Sequence, residues 1–377
     1  MSTKRENIVT KTRWGIIFLL LMSCVERIEF DAPSASLLTI VEGIISDSPG
    51  PYTVKVSRGL TLDENSTSTI ALKNAKIKLY DDKGTTEDFK EISPGVYQTS
   101  GKIKGELNHS YYISVETPEG KTFESEPEKI DPAGDIENIK FEYEAKTVVK
   151  KFGETNSDVF NLFVDGKAAD INESYLRWRF TGTYKIVNNP ELHFTYTPPY
   201  TPYKNPWPCS GYILLPETGT GGKLEKIADC TCCVCWAEQY EALPQISDVG
   251  LVKNGEFKNV KVGEVAINSI VFDDKYLVLV EQMSLSKKAF DFFKLVRSQK
   301  EGASNLFQPP SGEIRGNMKS IVGNDLVVGL FWATSIKKKT IFIYPSDIPY
   351  PLPPKDIDTL PCTDYENSST TKPAFWE

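Results

Sequence analysis

From Leu37 to Pro132 apolar and polar residues alternate with a period of two, which is the pattern of strands buried on one face. In YTVKVS, Tyr52, Val54 and Val56 face one way and Thr53, Lys55 and Ser57 the other. AKIKLYDDKG repeats the pattern through Ala75, Ile77 and Leu79 and runs into a turn at Asp82-Lys83-Gly84. YYISVETPEGKTFESEP reads as a hairpin, with Tyr111, Ile113 and Val115 on one side and a turn at Pro118-Glu119-Gly120. Short strands separated by turn residues at regular spacing predict a β-sandwich of Ig-like or transthyretin-like kind over 37–132. With no segment of helical period inside it, this module is expected to fold by itself.

EKIDPAGDIE marks a boundary, and a larger antiparallel β domain with one main helix is expected over 133–348. Its clearest strand is YLRWRFTGTYKI. Leu176, Trp178, Phe180, Tyr184 and Ile186 share one face; Arg177, Arg179, Thr181, Thr183 and Lys185 share the other. The polar face fits a solvated sheet surface, with anion binding by the two arginines as the alternative. SLSKKAFDFFKLVRSQKEG is the one strong helix. Ser286 suits the N-cap, Leu285 and Phe290 form a hydrophobic staple, and the helix is expected to stop near Gly302. The preceding DKYLVLVEQ reads as a buried strand, and DLVVGLFWATS and TIFIYP as two later ones. Residues 349–377, rich in Pro, Ser and Thr, are expected to form an extended tail in which Phe375 and Trp376 are candidates for packing back.

The first 23 residues break the β pattern. Lys4, Arg5, Lys11 and Arg13 precede the apolar run WGIIFLLLM, which is too short for a spanning helix of about 20 residues and suits the h-region of an export signal. LMSC then resembles a bacterial lipobox ending at Cys24, the expected site of lipid attachment. Several acyl chains on one residue anchor a protein where a single chain does not. Residues 24–36 would form an acylated tether, in which Glu26, Glu29 and Asp31 resemble a surface-export signal.

An exported chain lives where disulfides persist. That bears on DCTCCVCW, which packs four cysteines into six residues. With Cys24 used by lipid, Cys209, Cys230, Cys232, Cys233, Cys235 and Cys362 remain, an even set with fifteen pairings open. The C-x-C-C-x-C spacing departs from zinc patterns, and the chain has only His109 and His193. A soft metal such as Cu(I) would accept four thiolates; a redox centre would want C-x-x-C beside a βαβ unit, which is missing. Compartment favours three structural disulfides. If the stretch is extended, Cys230 and Cys232 point one way and Cys233 and Cys235 the other, and at least one bridge should reach Cys209 or Cys362.

The formal charge of −8, with no basic tract, excludes ordinary nucleic-acid binding. FTYTPPYTPYKNPWPCSGY, Phe194 to Tyr212, combines stiffening prolines with flat aromatic surfaces. It is suited to docking on a partner or a sugar ring, or to packing on its own domain under the Cys209 staple. ETGTGGK lacks a strand–loop–helix context and reads as a turn, not a nucleotide loop. No G-x-S-x-G or H-E-x-x-H occurs, and no metal or cofactor is expected. DTL, Asp358 to Leu360, resembles an O-glycosylation acceptor at Thr359.

Five elements in order carry a resemblance: LMSC; LTIVEGIISDSPGPYTVKVSRG; YLRWRF; CVCWAE; and LSKKAFDFFKLVRSQKEGASNLFQPPSGEIRGNM running to VVGLFWATS. Cys362 and KPAFW close the series. Together they resemble the Bacteroidota outer-membrane lipoproteins of domain-of-unknown-function family 4249, over almost the whole mature chain. The resemblance implies a non-enzymatic lipoprotein, anchored in the outer membrane through its lipid, and an accessory or ligand-capture partner of a TonB-dependent receptor. It carries over no catalytic residue. Cys230 and Cys233 exceed the two-cysteine pattern of that family. The alternatives are a copper-binding lipoprotein using Cys230–Cys235 and an extracytoplasmic hydrolase with unrecognised carboxylates.

Overall fold

The computed structural model describes residues 38–59, 69–150, 153–169, 175–197, 201–215, 222–247, 250–302 and 315–376. The chain is mainly β, with one α-helix, Lys287–Gly302, among the described residues. The signal, lipobox and tether lie outside them.

The alternating residues of the first module are buried as the pattern requires. Tyr52, Val54, Val56, Ile77, Leu79, Tyr111, Ile113 and Val115 are at most 5% exposed and enter one core. Two sheets enclose that core. The first contains Leu38–Ser46, Thr53–Gly59, Val96–Gln98 and Lys90–Ser93; the second contains Thr122–Ser125, Ser110–Glu116, Lys76–Asp81 and Thr86–Asp88.

Each sheet also takes a strand from far along the chain. Val327–Thr334 pairs in parallel with Leu38–Ser46, from Thr39 opposite Val327 to Ser46 opposite Thr334. Met318–Ser320 pairs antiparallel with Thr122–Ser125. Met318, Phe331 and Ala333 complete the first core. The expected boundary at 132 therefore does not separate two self-contained cores, and Leu37–Glu377 forms one compact unit. The physical reason is edge chemistry: Leu38–Ser46 needs a partner on its second side, and no local segment supplies one. The close approach depends on Gly329. Its φ of 127° is rare for a residue with a side chain, and a Cβ there would lie 1.9 Å from the Val41 carbonyl oxygen.

A second sandwich follows. Its large sheet runs Ile336–Ile343, Tyr276–Ser284, Leu176–Val187, Val234–Tyr240 and Ser368–Ser369, and the facing sheet runs Asp135–Glu144, Val159–Lys167, Glu256–Ala266. Between them lie Trp178, Phe180, Val278, Val280, Phe160, Leu162, Phe257 and Val262. The buried Trp178 donates its indole N–H to Gln282 Oε1 at 3.0 Å, and Gln282 Nε2 donates to the Ala133 carbonyl at 2.6 Å. That chain of bonds ties the central strand to the linker between the sandwiches.

The helix begins as its sequence requires: Ser286 Oγ accepts the Ala289 N–H at 3.1 Å, and Leu285 and Phe290 are both buried. Its apolar face (Ala289, Phe290, Phe293) packs with Met283, Leu330 and Trp332. Leu330 and Trp332 are on the shared strand, Val327–Thr334, whose other face carries Phe331 into the first core. One strand thus serves two cores.

The tail is tied down at two points that the sequence marks, Cys362 and Trp376. Cys362 is bonded to Cys235, Ser368–Ser369 pairs with Trp236 and Ala237, and Trp376 is 5% exposed, edge-on to Phe342. Phe375 remains exposed.

Replacing Phe331, fully buried in the first core although it lies about 200 residues beyond the expected boundary, should cost the whole unit about 3–5 kcal/mol as Phe331→Ala. Denaturant unfolding would show one transition moved to lower midpoint. An isolated 37–132 fragment, which lacks this residue and its strand, should show no cooperative transition in the same assay.

Candidate interaction face

The aromatic, proline-rich stretch forms a hairpin. Phe194–Thr197 pairs with Thr201–Lys204, placing Phe194 opposite Lys204, Thr195 opposite Tyr203 and Tyr196 opposite Pro202. Opposed residues share a face, so Phe194, Tyr196 and Pro202 lie together and Tyr203 lies on the other side. Phe194 and Tyr196 meet edge to face, 5.5 Å between centroids. Phe194, Tyr196 and Tyr203 remain 45%, 61% and 46% exposed, which leaves aromatic surface open on each face of the hairpin. Its base is held together by local contacts. His193 Nδ1 is 2.8 Å from the Asn205 carbonyl oxygen and its ring is 5.0 Å from that of Trp207.

The cysteines fasten this base. Cys209, in the turn Pro208–Ser210, bonds to Cys232; Cys230 bonds to Cys233; and Cys235 bonds to Cys362 across 127 residues. All six cysteines beyond Cys24 are paired, so none is left as a thiolate ligand. Two bridges reach Cys209 and Cys362, as expected from the sequence. The fully extended reading of the cluster is corrected: bends occupy 231–233 and the strand begins only at Val234, which lets Cys230 turn back to Cys233. From Val234 onward, Val234–Tyr240 pairs with the central strand, Cys235 opposite Ile186. Cys232, Cys235 and Cys362 are all buried. The hairpin, the central sheet and the tail are therefore one covalent assembly.

The arginine face of the central strand is partly solvated, Arg179 keeping 41% of its side chain exposed, and both arginines are paired with carboxylates. Arg177 pairs with Glu241, with side-chain exposures of 14% and 10%, and its guanidinium lies 4.4 Å from the centroid of Phe293. Arg179 donates to Glu281 at 2.6 Å, and Lys338 reaches the same carboxylate at 2.9 Å. Burial pushes the Glu241 carboxyl up, against the pull of Arg177. For Glu281 burial is outweighed by Arg179 and Lys338, which hold its carboxyl below the usual range. Both arginines thus spend their charge on acidic residues 64 and 102 positions away, partners that strand periodicity does not reveal.

Thr359 is half-buried beside the hairpin base. Its neighbour Asp358 accepts the Asn189 N–H at its carbonyl (2.8 Å) and the Tyr365 hydroxyl at its carboxylate (2.7 Å). Cys24 and Glu217–Gly221 lie outside the described residues. His109 pairs with Asp82 on the first sandwich, sharing no partner with His193. Among the described residues no three His, Cys, Asp or Glu side chains converge as a ligand set, and no helix is long and apolar enough to cross a membrane.

A two-sandwich β protein with a disulfide-fastened aromatic hairpin is the class these observations define. The chain matches the model of a family described as a domain of unknown function, DUF4249, over residues 25–340, and it belongs to that family. The match includes the hairpin and the cysteine cluster and stops short of Cys362 and the tail. No curated protein matches the chain.

Replacing Cys235 and Cys362 together by Ser should lower the unfolding free energy by about 2–4 kcal/mol. Limited proteolysis should then cut within 349–377 while the Cys209–Cys232 bridge stays intact by non-reducing peptide mapping.

Proposed function

We propose that this protein is a non-enzymatic outer-membrane lipoprotein, held by acylation of Cys24, that docks on a TonB-dependent receptor through its aromatic hairpin and assists ligand capture there. The observation that carries the reading is the hairpin: Phe194, Tyr196 and Tyr203 stay exposed on a base held rigid by Cys209–Cys232. Exposed aromatics on a stiff support are what a docking surface requires. They bring large contact area, and little ordering entropy remains to be lost on binding. The lipobox supports the anchor, and the resemblance to receptor-associated lipoproteins supports the partner.

The test uses the full chain in its own membranes. Cys24→Ala should shift the protein from the membrane to the soluble fraction and abolish acyl labelling. Phe194→Ala, Tyr196→Ala and Tyr203→Ala together should leave the melting temperature unchanged, because these side chains contribute little to either core. In detergent extracts they should reduce recovery of the receptor on the tagged lipoprotein about tenfold or more, since anchoring aromatics are each worth about 2 kcal/mol. Receptor recovery undiminished by the triple substitution would overturn the docking assignment.

A further inference from the structure

A second feature lies in the facing sheet of the second sandwich. Asp158, immediately before Val159–Lys167, is 8% exposed. One carboxylate oxygen, Oδ2, accepts hydrogen bonds from the hydroxyls of Tyr143 (2.8 Å) and Tyr350 (2.7 Å). Among the described residues the other, Oδ1, accepts only the Lys146 backbone N–H, at a long 3.2 Å. The Lys146 ammonium is engaged elsewhere, by Glu264 at 2.9 and 3.0 Å.

These groups line a cavity of about 580 Å³. Ala145, Ile267, Leu352 and Pro353 make its apolar surface, and Thr147, Asn268 and Ser269 add neutral polar groups. Among the described residues of the lining, Asp158 is the one charged side chain. The Tyr143 and Tyr350 rings stand edge to face, 6.1 Å apart.

The proton inventory decides what this cavity accepts. Both phenol protons are committed to Asp158, so the two phenol oxygens have only lone pairs left to offer. A carboxylate has about four acceptor positions, and three donors reach Asp158 here, leaving Oδ1 the underused atom. Bonds from Tyr350 and Tyr143 hold the Asp158 carboxyl below the usual range, while burial, with Asp158 beside it, pushes Tyr350 up to about 12. The polar groups of the cleft are therefore an anion and two acceptors, flanked by two partly exposed aromatic rings in a protein of formal charge −8. An anionic ligand meets repulsion, and a neutral polyol meets acceptors where it needs both kinds of partner. A protonated amine satisfies every term: N–H donors for Oδ1 and the phenols, a charge opposite to Asp158, and attraction to ring faces.

We propose that this cleft is a binding site for a primary ammonium carried on a short apolar body, with Asp158 as counter-ion and Tyr143 and Tyr350 as its walls. The site goes beyond the receptor-docking reading and is independent of it, because it lies on other residues and is tested on the purified chain alone.

Isothermal titration of the full chain with n-butylammonium should show saturable one-to-one binding, with none for butyrate or methyl β-glucoside. Asp158→Asn should weaken it about tenfold or more, since a charge-assisted bond is lost. Tyr143→Phe removes one phenol acceptor but leaves the bond between Tyr350 and Asp158; it should weaken binding about three- to tenfold in a protein that still unfolds cooperatively, and it decides the matter if Asp158→Asn fails to fold. Absence of saturable n-butylammonium binding, equal affinity in a folded Asp158→Asn protein or in Tyr143→Phe, or preference for the glucoside would each overturn the assignment.

Discussion

The parallel pairing of Leu38–Ser46 with Val327–Thr334 is the constraint on which the rest of this molecule depends. Eight residue pairs join strands nearly three hundred positions apart. The joined strand then faces two ways. Phe331 and Ala333 close the first sandwich, while Leu330 and Trp332 receive the helix. Parallel neighbours need a crossover connection, and here the connection carries the rest of the first sandwich and most of the second. The two halves are therefore one energetic unit, although each has its own pair of sheets.

The second sandwich handles charge and covalent linkage in the same spirit. Polar groups forced inward are met by distant partners: Arg177 by Glu241, Arg179 by Glu281, Asp158 by Tyr143 and Tyr350. Such buried pairs are expensive to break singly, because the survivor keeps its desolvation cost. The disulfides do the same for the periphery. Cys209–Cys232 ties the segment after the aromatic hairpin to the cysteine cluster, and without Cys235–Cys362 the last strand, Ser368–Ser369, would lose its covalent hold. The exposed aromatics and the tyrosine-walled cleft thus sit on a frame that leaves them little freedom.

How much of this was legible in the sequence follows from how local each signal is. Period-two strands such as YTVKVS and YLRWRF could be read because burial alternates within the strand itself, and the Ser286 cap could be read because it acts within one turn. The β class, the main helix and the peculiarity of Phe194–Tyr212 were accessible on those grounds. Sheet neighbours were not, since DLVVGLFWATS looks the same whether its partner is Leu38–Ser46 or a strand nearby. Cysteine pairing had fifteen solutions, and even the Cys230–Cys233 bridge leaves three for the other four cysteines. The Asp158 cleft left no motif at all: its tyrosines stand 15 positions before it and 192 after it.

The long-range strand pair also has a consequence for the birth of the protein. Chains emerge N-terminus first, so Leu38–Ser46 and the residues around it appear long before their partner. Throughout that interval a strand with buried-type residues, Val41 and Ile45, has one row of backbone donors and acceptors unanswered. Such an edge is a template for pairing with another chain. A product that terminates before Val327 can never cover it, so truncated molecules are natural clients for chaperones and proteases, and full-length synthesis is itself the protection against aggregation.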